Sequence, residues 1–235
     1  MLNVGILCSH RAPGIEALLW SAAAPASAFA PNRATRAAAG AAALQRDFNI
    51  ACVVSTEQTI PQRAALEAAG VPFIARTHPP RRLDAREEFD AVTMALLREF
   101  DVDLVILCGY LYILTRPMLR AFRRRIINIH DSDLTIKRPD GTPRYAGLRS
   151  TRDAIFAGER ETRATVHYVE DRVDAGEILF RSKPFPVSPL VRDALSWGDL
   201  DIVKAYAYAH REWVIRSSWA ALMTDAIGML SEAVA

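Results

Sequence analysis

Short apolar runs separated by helical segments constrain this chain more than any other feature of it. Leu2–Cys8 is such a run, and a turn at 9–14 and a helix start at 15–20 follow it. Phe48–Ser55, rich in Val and Ile, is a second run; residues 60–69 read as a helix that Gly70 closes at C′, and residues 71–74 are a third run. Strands alternating with helices call for right-handed crossovers and a parallel sheet covered on both faces. Residues 83–100 read as an amphipathic helix, with Phe89, Val92, Leu96 and Leu97 on one face and Arg86, Glu87, Glu88 and Asp90 off it. Asp84 is the expected N-cap, with Glu87 completing a capping box. Residues 103–108 form a continuous apolar strand that belongs at the centre of the sheet. The expected fold class is α/β: a Rossmann-like, mostly parallel twisted sheet with flanking helices.

The second half changes character. Ile126–His130 is a short strand, and a long loop over 131–146 carries the turn signals Pro139-Asp140-Gly141 and Pro143. A helix is expected at 147–158, a strand at 162–170, a tight loop at 171–176 and a return strand at 177–185, so an antiparallel pair comes late in the chain. From Pro189 onward the chain reads as helices split near Trp197-Gly198, with Trp213 and Trp219 packing the last one onto the domain. This gives one domain over 1–188 and a helical segment over 189–235 packed on it. An Ala-rich insert at about 22–45, broken by Pro25, Pro31 and Gly40, reads as a surface helix.

A net charge of +2 over 235 residues is too weak to single out nucleic acid or a membrane surface as partner. No apolar stretch reaches the length of a membrane span. Ala26-Ser27-Ala28 resembles a cleavage site, but no basic n-region precedes it, so a cytoplasmic protein is expected. Cys8, Cys52 and Cys108 sit in or beside apolar runs without Cys-x-x-Cys spacing, as buried free thiols do.

The chemistry sits in polar clusters at strand ends. Asn128 and His130 alternate along one strand, so they share a face. His167 and Asp174 flank the end of the later strand. An Asn N–H can stabilise an oxyanion, a His can move a proton near neutral pH, and an Asp can orient that His and hold a water. Together they suit acyl transfer or hydrolysis. Each part alone has a plainer account: Asn-x-His as a loop-stabilising pair, His167 as a core histidine, Asp171 and Asp174 as turn residues. No Gly-x-Ser-x-Gly elbow is present and no cysteine neighbours the histidine, which disfavours a covalent serine or thiol route. His130, His167 and Asp174 have no helical His-x-x-x-His spacing, so no metal is expected. The first turn, with Gly14 at a helix start and Arg11 as an extra donor, is either an anion site or an ordinary α/β turn.

These segments resemble a known family. The stretches Gly109-Tyr110-Leu111-Tyr112-Ile113-Leu114, Asn128-Ile129-His130, Thr165-Val166-His167-Tyr168-Val169 and Asp171-Arg172-Val173-Asp174-Ala175-Gly176 follow, in order and spacing, the pattern of 10-formyltetrahydrofolate-dependent formyltransferases. Within that family the phosphoribosylglycinamide (GAR) formyltransferases are nearest in pattern, over residues 1 to about 185. The resemblance implies formyl transfer from 10-formyltetrahydrofolate to a primary amine. Asn128 would stabilise the tetrahedral intermediate, His130 would shuttle the proton, Asp174 would raise the pKa of His130 and hold a water, and His167 would support the substrate side. The folate would lie along Leu111, Tyr112, Ile113 and Leu114 and along Glu170, Asp171 and Val173, with Arg86 near the formyl group. Arg11, Gly14 and Asp131 would face the acceptor.

The pattern is departed from around the acceptor. Pro13 removes an N–H from the first loop. Asp131 stands where family members usually have Pro, and the loop after it is longer than usual. Ala209, beside His210, stands where an acidic acceptor-binding residue is usual. The acceptor is therefore GAR-like or a different amine, with Asp131 either holding an ammonium group or capping its loop. Hydrolysis of the same cofactor to formate, and a non-catalytic folate-binding protein, are the rival readings. A tRNA acceptor is disfavoured by the lack of a basic C-terminal domain. Oligomeric state is open, a homodimer included.

Overall fold

The computed structural model describes residues 1–23 and 48–232. From residue 24 on, the Ala-rich insert expected as a surface helix lies outside the described residues. The elements are β1 (Leu2–Cys8), α1 (Ile15–Ala23), β2 (Phe48–Ser55), α2 (Arg63–Ala68), β3 (Phe73–Ala75), α3 (Leu83–Glu99), β4 (Leu104–Leu107), α4 (Arg116–Ala121), β5 (Ile126–His130), α5 (Ser150–Phe156), β6 (Glu161–Thr162), β7 (Thr165–Tyr168), β8 (Ile178–Arg181), β9 (Phe185–Pro186), α6 (Pro189–Trp197) and α7 (Leu200–Glu232).

One seven-stranded sheet runs in the order β3-β2-β1-β4-β5-β7-β8. Its first five strands are parallel, and β7 and β8 close it antiparallel, as the late pair was expected to do. β6 and β9 form a separate antiparallel pair. β4 is central and buried at every position, which is what a continuous apolar run requires. Side chains alternate across it: Leu104 and Ile106 join the core under α1, α2 and α7, while Val105 and Leu107 join the core under α3 and α4. The strand order reverses between β1 and β4, and in open α/β sheets the crevice beyond the strand ends at that reversal receives ligands.

Several elements differ from expectation, each for a local reason. α3 begins at Leu83 with Arg82 as its N-cap and no side-chain cap bond. Asp84 thus falls in the first turn, where its charge favours the exposed N–H groups, and it pairs with Arg82 instead of capping. Val92, placed on the apolar face, is exposed, while Asp90, placed off it, is buried. The buried carboxylate is satisfied because Thr115 N–H and Oγ1–H both donate to it at 2.7 Å. Thr115 is the N-cap residue of α4, without a side-chain cap bond, and α4 is a helix the sequence reading did not anticipate. α5 starts at Ser150, later than expected, because Gly147 N–H is drawn into the polar site described below. Trp219 is buried as expected, but Trp213 is half exposed, its ring edge-on to Phe185 at 4.9 Å.

α7 packs against α1, α5, α6, β5, β7 and β8, so it forms one wall beside the sheet's reactive edge. Among the described residues no helix is long and apolar enough to cross a membrane.

Candidate active site

The β5–β7 register sets Asn128 directly opposite His167. Asn128 and His130 leave β5 on one face, because they are two positions apart on a strand. Asp174 reaches the same point from the loop after β7, in the left-handed region at φ 52°. That loop folds back so closely that a Cβ on Gly176 would lie 1.9 Å from the Tyr168 carbonyl oxygen. Only glycine fits there, and its fit brings Asp174 over the strand ends.

A backbone carbonyl fixes one ring proton on each histidine. His167 Nδ1 sits 2.8 Å from the Tyr168 carbonyl, which can only accept, so Nδ1–H donates. His167 Nε2 lies 3.2 Å from the Asn128 amide nitrogen and 3.6 Å from Asp174 Oδ1. An Asn128 N–H points at Asp174 Oδ1, 3.5 Å away, a contact long enough to be exchanged for a better acceptor. His130 Nε2–H donates to the Tyr145 carbonyl at 3.0 Å, and its Nδ1 faces Asp174 Oδ2 at 3.7 Å. Asp174 Oδ2 also accepts Gly147 N–H at 2.7 Å. Burial raises the Asp174 carboxyl, but the His167 contact, the positive field of His130 and the Gly147 N–H outweigh it and draw it down to about 2. The site therefore holds a fixed negative charge between two imidazoles, with an amide donor beside it.

These groups lie in a cavity of about 830 Å³. Leu111, Tyr112, Ile113 and Leu114 line one side, with Glu170 and Val173 close by; Arg11, Asp131 and His167 also line it. Its lining is largely apolar on the β4 side and charged on the α5 and α7 side. Three of the expected site residues stand apart. Asp171 is outside the lining and pairs with Arg116 at 3.3 Å. Arg86 is outside the lining too, with its Nε buried and without an acceptor among the described residues. Gly14 faces α7, where a Cβ would meet Met223 Cε at 3.0 Å.

Asp131 is buried and committed to protein partners. It pairs with Arg211 and accepts Ser150 Oγ–H at 2.7 Å, so it caps its loop and does not stand free for an ammonium group. Arg11 is held bidentately by Glu212, at 2.7 and 2.5 Å. Bonding to Arg11 holds the Glu212 carboxyl below its usual range. Ala209 is exposed and outside the lining; the acid that α7 brings to this edge is Glu212. His210 is a core histidine between Thr162 and Tyr206, its pKa lowered by burial.

Sequence reasoning missed Lys204, Tyr208 and Arg211, which line the cavity from α7 with Ala207. Their spacing of three, four and seven is a helical stripe and was legible as such. It missed Arg149 and Arg152 as well. The Tyr145 carbonyl and the Gly147 N–H carry no residue-type signal, so no sequence pattern could have found them. Burial pushes the Cys8 and Cys52 thiols up to about 12, and raises Cys108 as well. The described residues contain no group of His, Cys, Asp and Glu arranged to hold a metal.

Comparison with known proteins points the same way as the geometry. The Formyl transferase family matches residues 31–191. The "Trifunctional purine biosynthetic protein adenosine-3" of Gallus gallus is 31% identical over 180 residues, 77% of this chain but 15% of that protein. The "Phosphoribosylglycinamide formyltransferase" of Haemophilus influenzae is 34% identical over 146 residues, 60% of this chain and 61% of that one. The chain thus spans less than two thirds of these curated relatives. The crystal structure of "glycinamide ribonucleotide transformylase 1" from Symbiobacterium toebii superposes with a TM-score of 0.62 at 27% identity, covering 91% of this chain and 86% of that chain.

Proposed function

The chain belongs to the formyl transferase family, and from that membership we propose that it moves a formyl group from 10-formyltetrahydrofolate to the primary amine of a small molecule. The observation that carries this is the convergence of Asn128, His130, His167 and Asp174 at the carboxyl edge of the sheet.

The folate lies along the apolar side of the cavity, from Leu111 to Leu114 and beside Glu170 and Val173. The acceptor amine enters from the α5 and α7 side. Its nitrogen attacks the formyl carbon, and the carbonyl oxygen gains the negative charge. Asn128 turns the N–H of its long contact with Asp174 toward that oxyanion, and His130 adds positive charge beside it. Nε2 of His130 is committed to the Tyr145 carbonyl, so Nδ1 is the nitrogen through which a proton moves, by way of a water held at Asp174. The attacking nitrogen loses one proton and the folate nitrogen gains one as the carbon–nitrogen bond to the folate breaks. The products are an N-formyl amine and tetrahydrofolate. The Asp174 charge, kept by a carboxyl drawn down to about 2, stabilises His130 while that ring carries the moving proton.

The test is a screen of amine acceptors, GAR among them, with 10-formyltetrahydrofolate, run beside a control without acceptor. Transfer well above the formate released in the control supports the reading. Formate release in the control at a rate equal to the acceptor-fed rate would instead make the protein a hydrolase of the same cofactor.

A further inference from the structure

One short segment of the long loop after β5 serves both His130 and Asp174 through its backbone. The Tyr145 carbonyl accepts His130 Nε2–H at 3.0 Å, and Gly147 N–H donates to Asp174 Oδ2 at 2.7 Å. The segment belongs to no helix or strand. The Tyr145 carbonyl also accepts Ser132 Oγ–H at 2.6 Å, so both of its lone pairs are used. Where that carbonyl sits depends on how Tyr145 is anchored.

The anchor lies outside the cavity: neither Tyr145 nor Glu159 is part of its lining. The Tyr145 ring is buried, and its O–H donates to Glu159 Oε1 at 2.6 Å. Burial, and then that bond, push the phenol above its ordinary range, so it remains a donor at neutral pH. Glu159 is itself fixed just past the end of α5, where its N–H donates to the Ala154 carbonyl at 3.1 Å. Arg144 also approaches Glu159, but at 3.9 Å and with its side chain half exposed, so that pair is weak.

The His130 ring stands between two acceptors. The Tyr145 carbonyl is at Nε2, and Asp174 Oδ2 faces Nδ1 at 3.7 Å. A neutral imidazole has one proton for the two, and the hydrogen bond made by one nitrogen decides the state of the other. The carboxylate is the stronger acceptor. The carbonyl therefore keeps the proton on Nε2 only while it stays at bonding distance. We propose that Tyr145 and Glu159 are positioning residues: their phenol–carboxylate bond holds the Tyr145 carbonyl against His130 Nε2–H, and so keeps the lone pair on Nδ1, toward Asp174 and the reacting atoms. The inference rests on formyl transfer only for naming Nδ1 as the nitrogen that works. With the proton on Nδ1 instead, no lone pair faces the proton that the attacking amine must lose.

The test reads the ring directly. NMR of the full chain, with histidine labelled by the heavy nitrogen isotope and with neither folate nor acceptor present, gives the tautomer of each neutral ring; His130→Ala assigns the signal. Tyr145→Phe keeps the ring and removes only the donor, and Glu159→Ala removes the acceptor at the other end. His130 should be in the Nε2–H form in the unaltered protein, and a substantial share of it should move to the Nδ1–H form in both variants. Glu159→Gln keeps an acceptor oxygen and should restore the Nε2–H form. In the first two variants kcat should fall about tenfold or more, as for a misplacement transmitted from outside the site, with KM for the folate little changed. A ring that stays in the Nε2–H form in both Tyr145→Phe and Glu159→Ala overturns the proposal even if kcat falls, and so does an Nδ1–H ring in the unaltered protein. A tautomer shift in a protein that formylates no acceptor supports the positioning and refutes formyl transfer instead, so the two failures are distinct.

Discussion

Replacing Asp174 by Asn isolates what the buried carboxylate does. The substitution keeps the shape and keeps an acceptor for Gly147 N–H, and Asn tolerates the left-handed backbone that residue 174 adopts at φ 52°. It removes the charge 3.7 Å from His130 and 3.6 Å from His167. A carboxyl drawn from 3.8 to about 2 in the folded state stabilises that state by about 2 kcal/mol when ionised. The side chain is 9% exposed, so solvent screening leaves that figure largely intact. Its folded pKa is depressed, so the stability is fully present above the unfolded carboxylate range and is lost as pH falls from about 4 through about 2. The variant should therefore melt about 4–8 °C lower at pH 7, and the gap should narrow steadily below pH 4. Calorimetric melts of both proteins across that range measure it. Formyl transfer at pH 7 should drop about 10²–10⁴-fold, with folate affinity little changed. A gap in melting temperature that does not depend on pH, or a variant that turns over normally, would refute the charge-based account.

Other parts of the structure make their own predictions. Asp90→Ala strips the acceptor from a buried Thr115 N–H, next to the Leu111–Leu114 segment; it should cost about 1–3 kcal/mol and raise KM for the folate more than it lowers kcat, read by steady-state kinetics. Gly176→Ala places a Cβ on the Tyr168 carbonyl and should cost more than about 3 kcal/mol or prevent folding, read by urea denaturation. The thiols of Cys8, Cys52 and Cys108 should resist an aromatic disulfide reagent at pH 8 until denaturant is added, because all are buried and none is drawn toward the thiolate.

How much the sequence disclosed depended on whether a feature was carried by residue type. The apolar runs of β1, β2 and β4 had to be buried strands, and the helices between them had to make the sheet parallel. Asn128 and His130 shared a face because strands alternate, and the resemblance of the stretches around His167 and Asp174 to the formyltransferase pattern tied the two clusters together before any register was known. Asp90 misled because its charge looks like surface, while its place is decided by Thr115, 25 residues away. Asp131 looked free for the acceptor because Arg211, 80 residues on, is invisible to local pattern. The same holds for Arg11, whose partner Glu212 lies on the last helix. The Tyr145 carbonyl and the Gly147 N–H position His130 and Asp174 through the backbone, which every residue shares. The acceptor end of the site was thus the least legible part, since long-range pairing of charges shapes it.

His130→Ala offers the most direct test of the formyl-transfer centre. The measurement is loss of the formyl group from 10-formyltetrahydrofolate, with GAR present and with no acceptor, alongside equilibrium binding of the folate. The account predicts that the variant binds the folate much as the unaltered protein does and that formyl loss falls at least 10²-fold under both conditions, about the share of a general acid–base group. Formyl loss near the unaltered rate, with the folate bound, would contradict it.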